Sequence, residues 1–288
     1  MKKILLLAAI TLFSTGAWAQ TPAGNTSSAD KLGWQLAVDS YSYRDFPISD
    51  AIDKTGALGV KYMCLSGHIR LNGPNIGNTV DISDADRQAI DDKLKANGIA
   101  PIVNIGPVDL PADEAKCRKA FEFAKKWGVN VLVAEPKLDA LDIVEKLCKE
   151  YNIKVAIHEH SKPSNFWNPD DLAAALKGRS PLLGVCPDIG HWLESGLDPV
   201  EALKKLQGRI ICLHFKDNNV MGPKGHNVPF GTGVGKTKEM LEELQRQHFH
   251  GAICIEYEYN EHNPGPDMAK CVKFFNDTCD QLVASPAN

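Results

Sequence analysis

The sequence predicts an α/β protein that folds as a single (β/α)8 TIM barrel, and three observations support this. Short apolar runs alternate with amphipathic stretches from residue 34 onward, as in repeated strand–helix units. Eight such units can be counted, which is the number that a closed parallel barrel requires. The stretch 31–288 also matches the length of roughly 250 residues that is typical of this architecture.

The individual elements follow from these patterns and from local capping signals. The apolar runs predict strands at 35–40, 61–65, 100–105, 130–134, 154–157, 183–186, 210–215 and 252–256. The amphipathic stretches predict helices at 49–58, 83–97, 112–127, 138–151, 169–176, 199–206, 236–247 and 266–283. Gly98 and Gly128 lie where a helix C-terminus favours a left-handed residue, and Asp198-Pro199 pairs an N-cap with proline at the first helical position.

The N-terminus has the features of a cleaved signal peptide over residues 1–19. A charged start and an apolar run too short to span a bilayer precede a small-x-small cleavage site that ends at Ala19. Residues 20–30, rich in Thr, Ser, Gly and Ala, predict a disordered lead-in to a barrel domain over 31–288. We therefore expect a periplasmic or secreted protein that no membrane segment retains after cleavage.

The charge and the cysteines exclude some classes of protein. A formal net charge of −4 argues against a nucleic-acid partner, which normally requires a basic face. Four of the eight cysteines fall in predicted strands, where a thiol behaves as a small buried apolar group, and the other four fall on predicted helices. Because this pattern does not resemble a small disulfide-stapled scaffold, the sequence predicts free thiols.

Polar residues gather at the C-terminal ends of the later strands, which is where TIM barrels carry their chemistry. In strand order these residues are Glu135, His158 with His160, Asp188, His214 and Glu256. Unpaired carboxylates that converge would repel one another, and a divalent cation removes that cost. Mixed oxygen and nitrogen ligation favours Mn, Co, Zn or Fe over Ca, and Mg completes the candidate metals.

Four segments resemble the xylose isomerase-like sugar phosphate isomerase/epimerase superfamily: 156–160 (AIHEH), 186–192 (CPDIGHW), 213–217 (LHFKD) and 255–258 (IEYE). In ketose 3-epimerases of that superfamily, Glu, Asp, His and Glu from strands five to eight hold the metal. The resemblance implies that Asp188, His214 and Glu256 occupy the last three positions. This chain departs at the first, where His158 replaces Glu, so either His158 or Glu135 is the fourth ligand.

Four further residues are candidate substrate contacts. His191 matches a substrate-binding histidine of the superfamily. Lys216 either binds a substrate hydroxyl or carbonyl, or pairs with the neighbouring carboxylates. His68 at the end of the second strand is a candidate for lining the sugar pocket, and Trp192 for stacking on a sugar ring.

The glycine-rich segment 231–237 (GTGVGKT) ends like a phosphate-binding loop, but Phe230 stands where that motif requires its first glycine. We interpret the segment as a flexible loop over the substrate that opens the next helix.

These residues predict an enzyme that acts on a small-molecule carbohydrate. A base, His158, His160 or Glu256, takes the proton next to a carbonyl that the metal polarises, and an enediolate results. Reprotonation gives an isomerase or epimerase, whereas loss of a β-substituent gives a lyase or hydratase that acts on 3-keto-glycosides. The alternative of another class is a non-catalytic periplasmic sugar-binding protein. The sequence does not determine the oligomeric state, and a homo-oligomer is compatible with it.

Overall fold

The barrel strands are present in the expected number and order. The structure, a computed structural model, describes residues 26–285, and the expected signal peptide lies outside them. In chain order the barrel strands are β1 (Trp34–Asp39), β2 (Tyr62–Leu65), β3 (Asn104–Val108), β4 (Val131–Ala134), β5 (Lys154–His158), β6 (Leu183–Cys186), β7 (Cys212–Phe215) and β8 (Gly251–Ile255).

All neighbouring strands in the sheet are parallel, in the order β6-β5-β4-β3-β2-β1-β8-β7. Two isolated parallel bridges, Val185–Ile210 and Asp188–His214, connect β6 to β7 and close the ring. The predicted (β/α)8 TIM barrel is therefore confirmed. A consequence is that Asp188 and His214, 26 positions apart in sequence, are brought side by side at the C-terminal mouth.

Each strand is followed by a helix that packs outside the barrel. These helices are α1 (Ile48–Ala57), α2 (Asp84–Ala96), α3 (Glu114–Trp127), α4 (Leu141–Tyr151), α5 (Pro169–Leu176), α6 (Pro199–Lys205), α7 (Thr237–Arg246) and α8 (Gly265–Ala284). The capping signals act as expected, since Asp198 accepts hydrogen bonds from Val200 N and Glu201 N, and Gly128 is left-handed. Within residues 26–285 no helix is long and apolar enough to cross a membrane.

The structure corrects two local predictions. The lead-in predicted to be disordered over 20–30 ends in a short helix, Ser28–Lys31, because Ser27 Oγ accepts a hydrogen bond from Asp30 N and the Asp30 carboxylate accepts one from Ser27 N. Another short helix, Ile189–Glu194, was missed; Asp188 caps it by accepting a hydrogen bond from His191 N at 3.0 Å. The same cap orients Asp188 at the barrel mouth.

The interior of the barrel is filled by small side chains, whereas the large apolar residues lie between the strands and the helices. The interior cluster comprises Ala37, Cys64, Val133, Ala156, Cys186, Cys212, Ala252 and Cys254. Side chains alternate along a strand, so the residue two positions after Ala156, Cys212 or Cys254 also points inward. These residues are His158, His214 and Glu256, and they form a polar layer directly above the small one.

The prediction of free thiols is wrong for Cys64 and Cys254, which form a disulfide with a Cα–Cα distance of 6.7 Å. The pair escaped sequence reasoning because 190 positions separate the two cysteines. They lie on β2 and β8, the two neighbours of β1, where Ala37 leaves room between them. The prediction is confirmed for the other six cysteines, which are free and buried.

Thiol titration under denaturing, non-reducing conditions should find six thiols in the protein and eight after reduction. The Cys64→Ser protein should show seven, because it frees the partner Cys254. Finding eight thiols without reduction would contradict the disulfide, and unchanged titration in Cys148→Ser would reveal a faulty assay, since that residue is a free cysteine.

Candidate metal centre

Four buried side chains from four successive strands converge at the barrel mouth. His158 ends β5, Asp188 follows β6, His214 lies in β7 and Glu256 follows β8. One ligand atom from each lies within 4.8 Å of one atom from each of the others. His158 Nε2 is 3.3 Å from Asp188 Oδ2, and His214 Nδ1 is 3.0 Å from Glu256 Oε2. Together they can hold one ion with two imidazole and two carboxylate ligands.

The donor set fits a divalent cation. Both ring nitrogens of His214 are buried without a hydrogen bond of good geometry, although Nδ1 lies between Glu256 and Asp188 at 3.0 and 3.8 Å. Buried polar atoms normally have partners, so this nitrogen and the two carboxylates point to an ion as their common partner. Mixed N and O ligation suits first-row transition metals and Mg.

Glu135 does not join this cluster, so His158 is the fourth ligand that the geometry favours. The Glu135 carboxylate instead accepts a hydrogen bond from His160 Nδ1. Partial burial opposes ionisation of Glu135, but its hydrogen bond with His160 and the charge of that ring hold its pKa below the usual value. His160 is half-exposed, and its ring centroid is 4.9 Å from those of His158 and His191.

The two histidine ligands differ in charge. Burial lowers the pKa of His158 to about 4, so the neutral ring keeps a lone pair for a metal. Burial also opposes protonation of His214, but Glu256, Asp188 and Asp39 together hold its pKa well above the usual value. A proton and a metal ion therefore compete for His214.

Lys216 lies at the centre of the carboxylates. Its side chain is buried, and Nζ is 2.8 Å from Asp188 Oδ2 and 2.7 Å from Glu256 Oε2, with a further contact to Glu258. Burial opposes the charge of this ammonium, but the three carboxylates raise its pKa well above the usual value. Lys216 therefore makes the predicted carboxylate pairing, and it also lines a cavity, where it can meet a substrate.

Asp39, at the end of β1, was not among the residues predicted from the sequence. It points inward two positions after Ala37, and its Oδ2 lies 3.5 Å from His214 Nε2. Oδ1 accepts a hydrogen bond from Tyr41 N at 2.8 Å, which fixes the carboxylate. This contact is too long and poorly aligned for a hydrogen bond of good geometry, but a carboxylate in this position can orient the ring so that Nδ1 is free for a metal, as in carboxylate–histidine–metal triads. Strand parity with Ala37 is the signal that could have found it.

The remaining predicted residues lie in different places. His191 is half-buried beside the cluster, where Nδ1 is 3.0 Å from Ser161 Oγ and 3.3 Å from Glu194 Oε2. Burial alone would lower the pKa of His191, but Asp188 and Glu194 raise it. The prediction that Trp192 stacks on a sugar is wrong, because its ring is fully buried in the core. His68 is exposed at the rim beyond β2.

Asp217 explains the glycine-rich segment that resembles a phosphate-binding loop. Its buried carboxylate accepts three backbone hydrogen bonds, from Gly231 N and Gly233 N at 3.0 Å and from Gly235 N at 2.8 Å. The amides that would cradle a phosphate are therefore already used. These hydrogen bonds hold the segment against the end of β7, from which it leads into α7. The prediction of a flexible loop over the substrate is therefore wrong.

Glu159 supports the site from the other face of β5. It is fully buried, and its Oε1 accepts a hydrogen bond from Asp188 N at 2.8 Å. Burial first, and the charge of Asp188 second, raise the pKa of Glu159 well above its usual value. The backbone and the side chain of Asp188 are thus both held in place, the latter through the cap of the short helix.

Comparison with known proteins agrees with this fold. Residues 50–278 match the family described as xylose isomerase-like TIM barrel, and the chain belongs to that family. An uncharacterised protein from Parabacteroides distasonis is 33% identical, with a TM-score of 0.66, over 85% of this chain and 99% of that one. D-allulose 3-epimerase from Methylomonas sp., solved with D-allulose, is 13% identical, with a TM-score of 0.66, over 85% and 97%.

A curated relative carries a different activity. The 3-dehydroshikimate dehydratase of Bacillus anthracis is 24% identical over 179 residues, which are 56% of this chain and 64% of that protein. The chain spans less than two thirds of the length of the curated relatives it matches. The proteins similar to this chain therefore include an epimerase and a dehydratase.

Replacing Asp188 or Glu256 by Ala should abolish metal binding, because each supplies one carboxylate of the cluster. Elemental analysis of the purified protein should find one divalent ion per chain, lost in both variants but retained in Glu201→Ala, an exposed carboxylate elsewhere. Affinity should rise with pH, since protons compete at His214. Full occupancy in both Asp188→Ala and Glu256→Ala would rule out this centre.

Replacing Asp39 by Ala should weaken metal binding about 10–100-fold, because His214 loses the group that orients its ring. Competition with a chromophoric chelator measures this, and Asp39→Asn, which keeps an acceptor without the charge, should fall between Ala and the native protein. Asp50→Asn, an exposed change on α1, is the control. Native affinity in a folded Asp39→Ala protein would show that Asp39 has no such role.

Proposed function

We propose that the protein is a metal-dependent sugar isomerase/epimerase-type enzyme that removes a proton next to a carbonyl of a carbohydrate. One observation carries this proposal: a buried His/Asp/His/Glu cluster lies next to a half-exposed histidine whose ring is held by a carboxylate. A divalent cation in the cluster would act as a Lewis acid that polarises the carbonyl and stabilises the charge of an enediolate.

His160 is the base in this proposal. Because the carboxylate of Glu135 is ionised, His160 Nδ1 carries the proton of their hydrogen bond, so in a neutral His160 ring the lone pair lies on Nε2. The ring is half-exposed and lies beside His158 and His191, where a substrate can reach it. The pair repeats the orientation of a catalytic imidazole by a carboxylate. In this proposal His158 is a neutral metal ligand and does not act as the base.

Lys216 and His191 bind the substrate. The three N–H groups of the Lys216 ammonium contact Asp188, Glu256 and Glu258, so Lys216 can donate to a substrate oxygen that takes the place of the partly exposed Glu258. His191 lines the same cavity and is oriented by Ser161 and Glu194. Isomerisation requires one base that moves a proton between neighbouring carbons, and His160 supplies it. Epimerisation requires a second group on the opposite face, for which Glu256 is the candidate.

A lyase or hydratase that acts on 3-keto-glycosides is the second candidate. The observation that favours it is the replacement at the end of β5, where neutral His158 stands in place of a second acid–base carboxylate. Glu256 is held by His214 and Lys216, so a single base, His160, serves one face. Elimination from a 3-keto-glycoside needs only that base: the C2 proton leaves, a C1–C2 double bond forms, and the aglycone departs from C1 with its bonding electrons. The dehydratase among the relatives is consistent with such chemistry.

Export to the periplasm or outside, through residues 1–19, is part of the proposal. It would separate the protein from phosphorylated sugars, which are mainly cytoplasmic. The proposed partner is therefore a neutral small-molecule carbohydrate.

Incubation of the metal-loaded protein in D₂O with ketoses and 3-keto-glycosides should put deuterium on one substrate carbon, read by NMR. Release of an aglycone would identify elimination, and a new stereoisomer or aldose would identify isomerisation. His160→Ala should cut turnover about 10²–10⁴-fold with metal content unchanged. Glu135→Gln should lower it less.

The matched control is His248→Asn. His248 is exposed between α7 and β8, and asparagine tolerates the left-handed backbone conformation at this position. No deuterium uptake with any member of the panel would favour the non-catalytic sugar-binding protein. Native turnover in His160→Ala would move the base to Glu256.

A further inference from the structure

Glu258 is the exposed partner of the Lys216 ammonium. Of the three carboxylates that contact this ammonium, those of Asp188 and Glu256 are buried in the metal centre, whereas the side chain of Glu258 is 35% exposed. Lys216 and Glu258 both line the β6–β8 cavity, a space of about 180 Å³ formed by residues that follow β6, β7 and β8. A substrate oxygen therefore reaches Lys216 most directly at the position where the Glu258 carboxylate now lies.

Both members of this pair are fixed at their bases. Glu258 N donates a hydrogen bond to Asn227 Oδ1 at 2.8 Å, and Glu258 O accepts one from Arg44 at 3.2 Å. The aliphatic part of Lys216 packs against Gly190, where a β-carbon would lie 2.7 Å from Lys216 Cδ. The contact between the ammonium and the carboxylate can therefore open by rotation of the partly exposed Glu258 side chain, without movement of either backbone.

Such a pair distinguishes ligand oxygens by their hydrogen-bonding capacity. A sugar hydroxyl both accepts and donates, so one hydroxyl can accept from Lys216 Nζ and donate to the Glu258 carboxylate. An ionised carboxylate or phosphate only accepts. It could replace Glu258 on the ammonium, but it would then face the displaced carboxylate with no proton to share, and like charges at short range repel.

The other charged groups around the cavity do not reverse this preference. His191 already has a carboxylate partner, because its Nδ1 lies 3.3 Å from Glu194 Oε2. The ring of His226 stacks on Tyr259 with a centroid distance of 4.2 Å, and it has no carboxylate partner within residues 26–285. Since His226 is present in every variant compared below, a change in selectivity between the variants reports the substituted carboxylate and not this ring.

We propose that Lys216 and Glu258 form a hydroxyl-selecting pair, so that the substrate is a carbohydrate that presents a hydroxyl, and no acid group, to the β6–β8 cavity. Glu258 is then a specificity-determining residue that excludes sugar acids and sugar phosphates. This inference rests on the proposed function, in which Lys216 binds the substrate, but the selectivity itself is tested by binding alone.

The test measures the affinities of three unreactive ligands by NMR titration of the protein loaded with Mg²⁺, a diamagnetic ion. The ligands are methyl glucoside, methyl glucuronoside, which carries an acid at C6, and inorganic phosphate, which requires no particular orientation. The native protein should bind methyl glucoside at least about tenfold more tightly than either anion, because a hydrogen bond to a charged group is lost with an anion.

Glu258→Gln keeps the length of the side chain and one acceptor oxygen but removes the charge. Both anions should then bind about tenfold more tightly, whereas methyl glucoside should lose a few-fold at most, since the amide oxygen still accepts its proton. The matched control is Asp45→Asn, which removes an exposed carboxylate after β1 that contacts His262 and not Lys216. It should change each affinity by less than about twofold.

Three results would overturn the hydroxyl-selecting pair: native protein that binds none of the ligands or all equally, unchanged selectivity in Glu258→Gln, or the same gain for anions in Asp45→Asn. Circular dichroism and metal analysis check that each variant is folded and loaded. Deuterium uptake from the panel of ketoses and 3-keto-glycosides separates the two proposals. Uptake with unchanged selectivity refutes the pair and leaves the proposed function, whereas a change in selectivity without uptake refutes the chemistry and leaves the pair.

Discussion

Compensation of buried charge at the barrel mouth is the constraint on which the rest of the site depends. Asp39, Asp188 and Glu256 are at least nine-tenths buried, and isolated carboxylates cannot remain ionised there without partners. Two imidazoles, one ammonium and the proposed cation share that task. Because Asp188, His214, Lys216 and Glu256 each contact at least two other members, the loss of one of them leaves several groups unpaired, and the site behaves as one unit.

The barrel interior makes this arrangement possible. Small residues such as Ala37, Ala156 and Cys212 fill the layer beneath, so the inward residues two positions later approach one another closely. The disulfide between Cys64 and Cys254 joins strands on both sides of β1 in the same layer. Larger side chains there would push the strands apart and separate the ligands, which must all lie around one ion.

With His158 at the end of β5, the proposed metal ligand and the proposed base are two different residues, whereas a carboxylate there could serve as both. An imidazole that gives its lone pair to a metal cannot also take a proton, whereas a carboxylate ligand keeps a second oxygen that can. In the proposed mechanism, proton transfer passes instead to His160, which contacts Glu135 and whose ring is half-exposed. If the proposed roles hold, this separation of ligand from base distinguishes the site from one in which glutamates take both roles.

The strand–helix alternation, the barrel and the set of polar residues at the strand ends could all be predicted from the sequence. They depend on local periodicity and on the alternation of side chains along one strand. Tertiary structure alone decided which of Glu135 and His158 joins the cluster, that Trp192 is buried, and that Asp39 faces His214. It also paired Cys64 with Cys254. Each of these depends on the distance between side chains from strands far apart in the chain, and the closure of the barrel sets that distance.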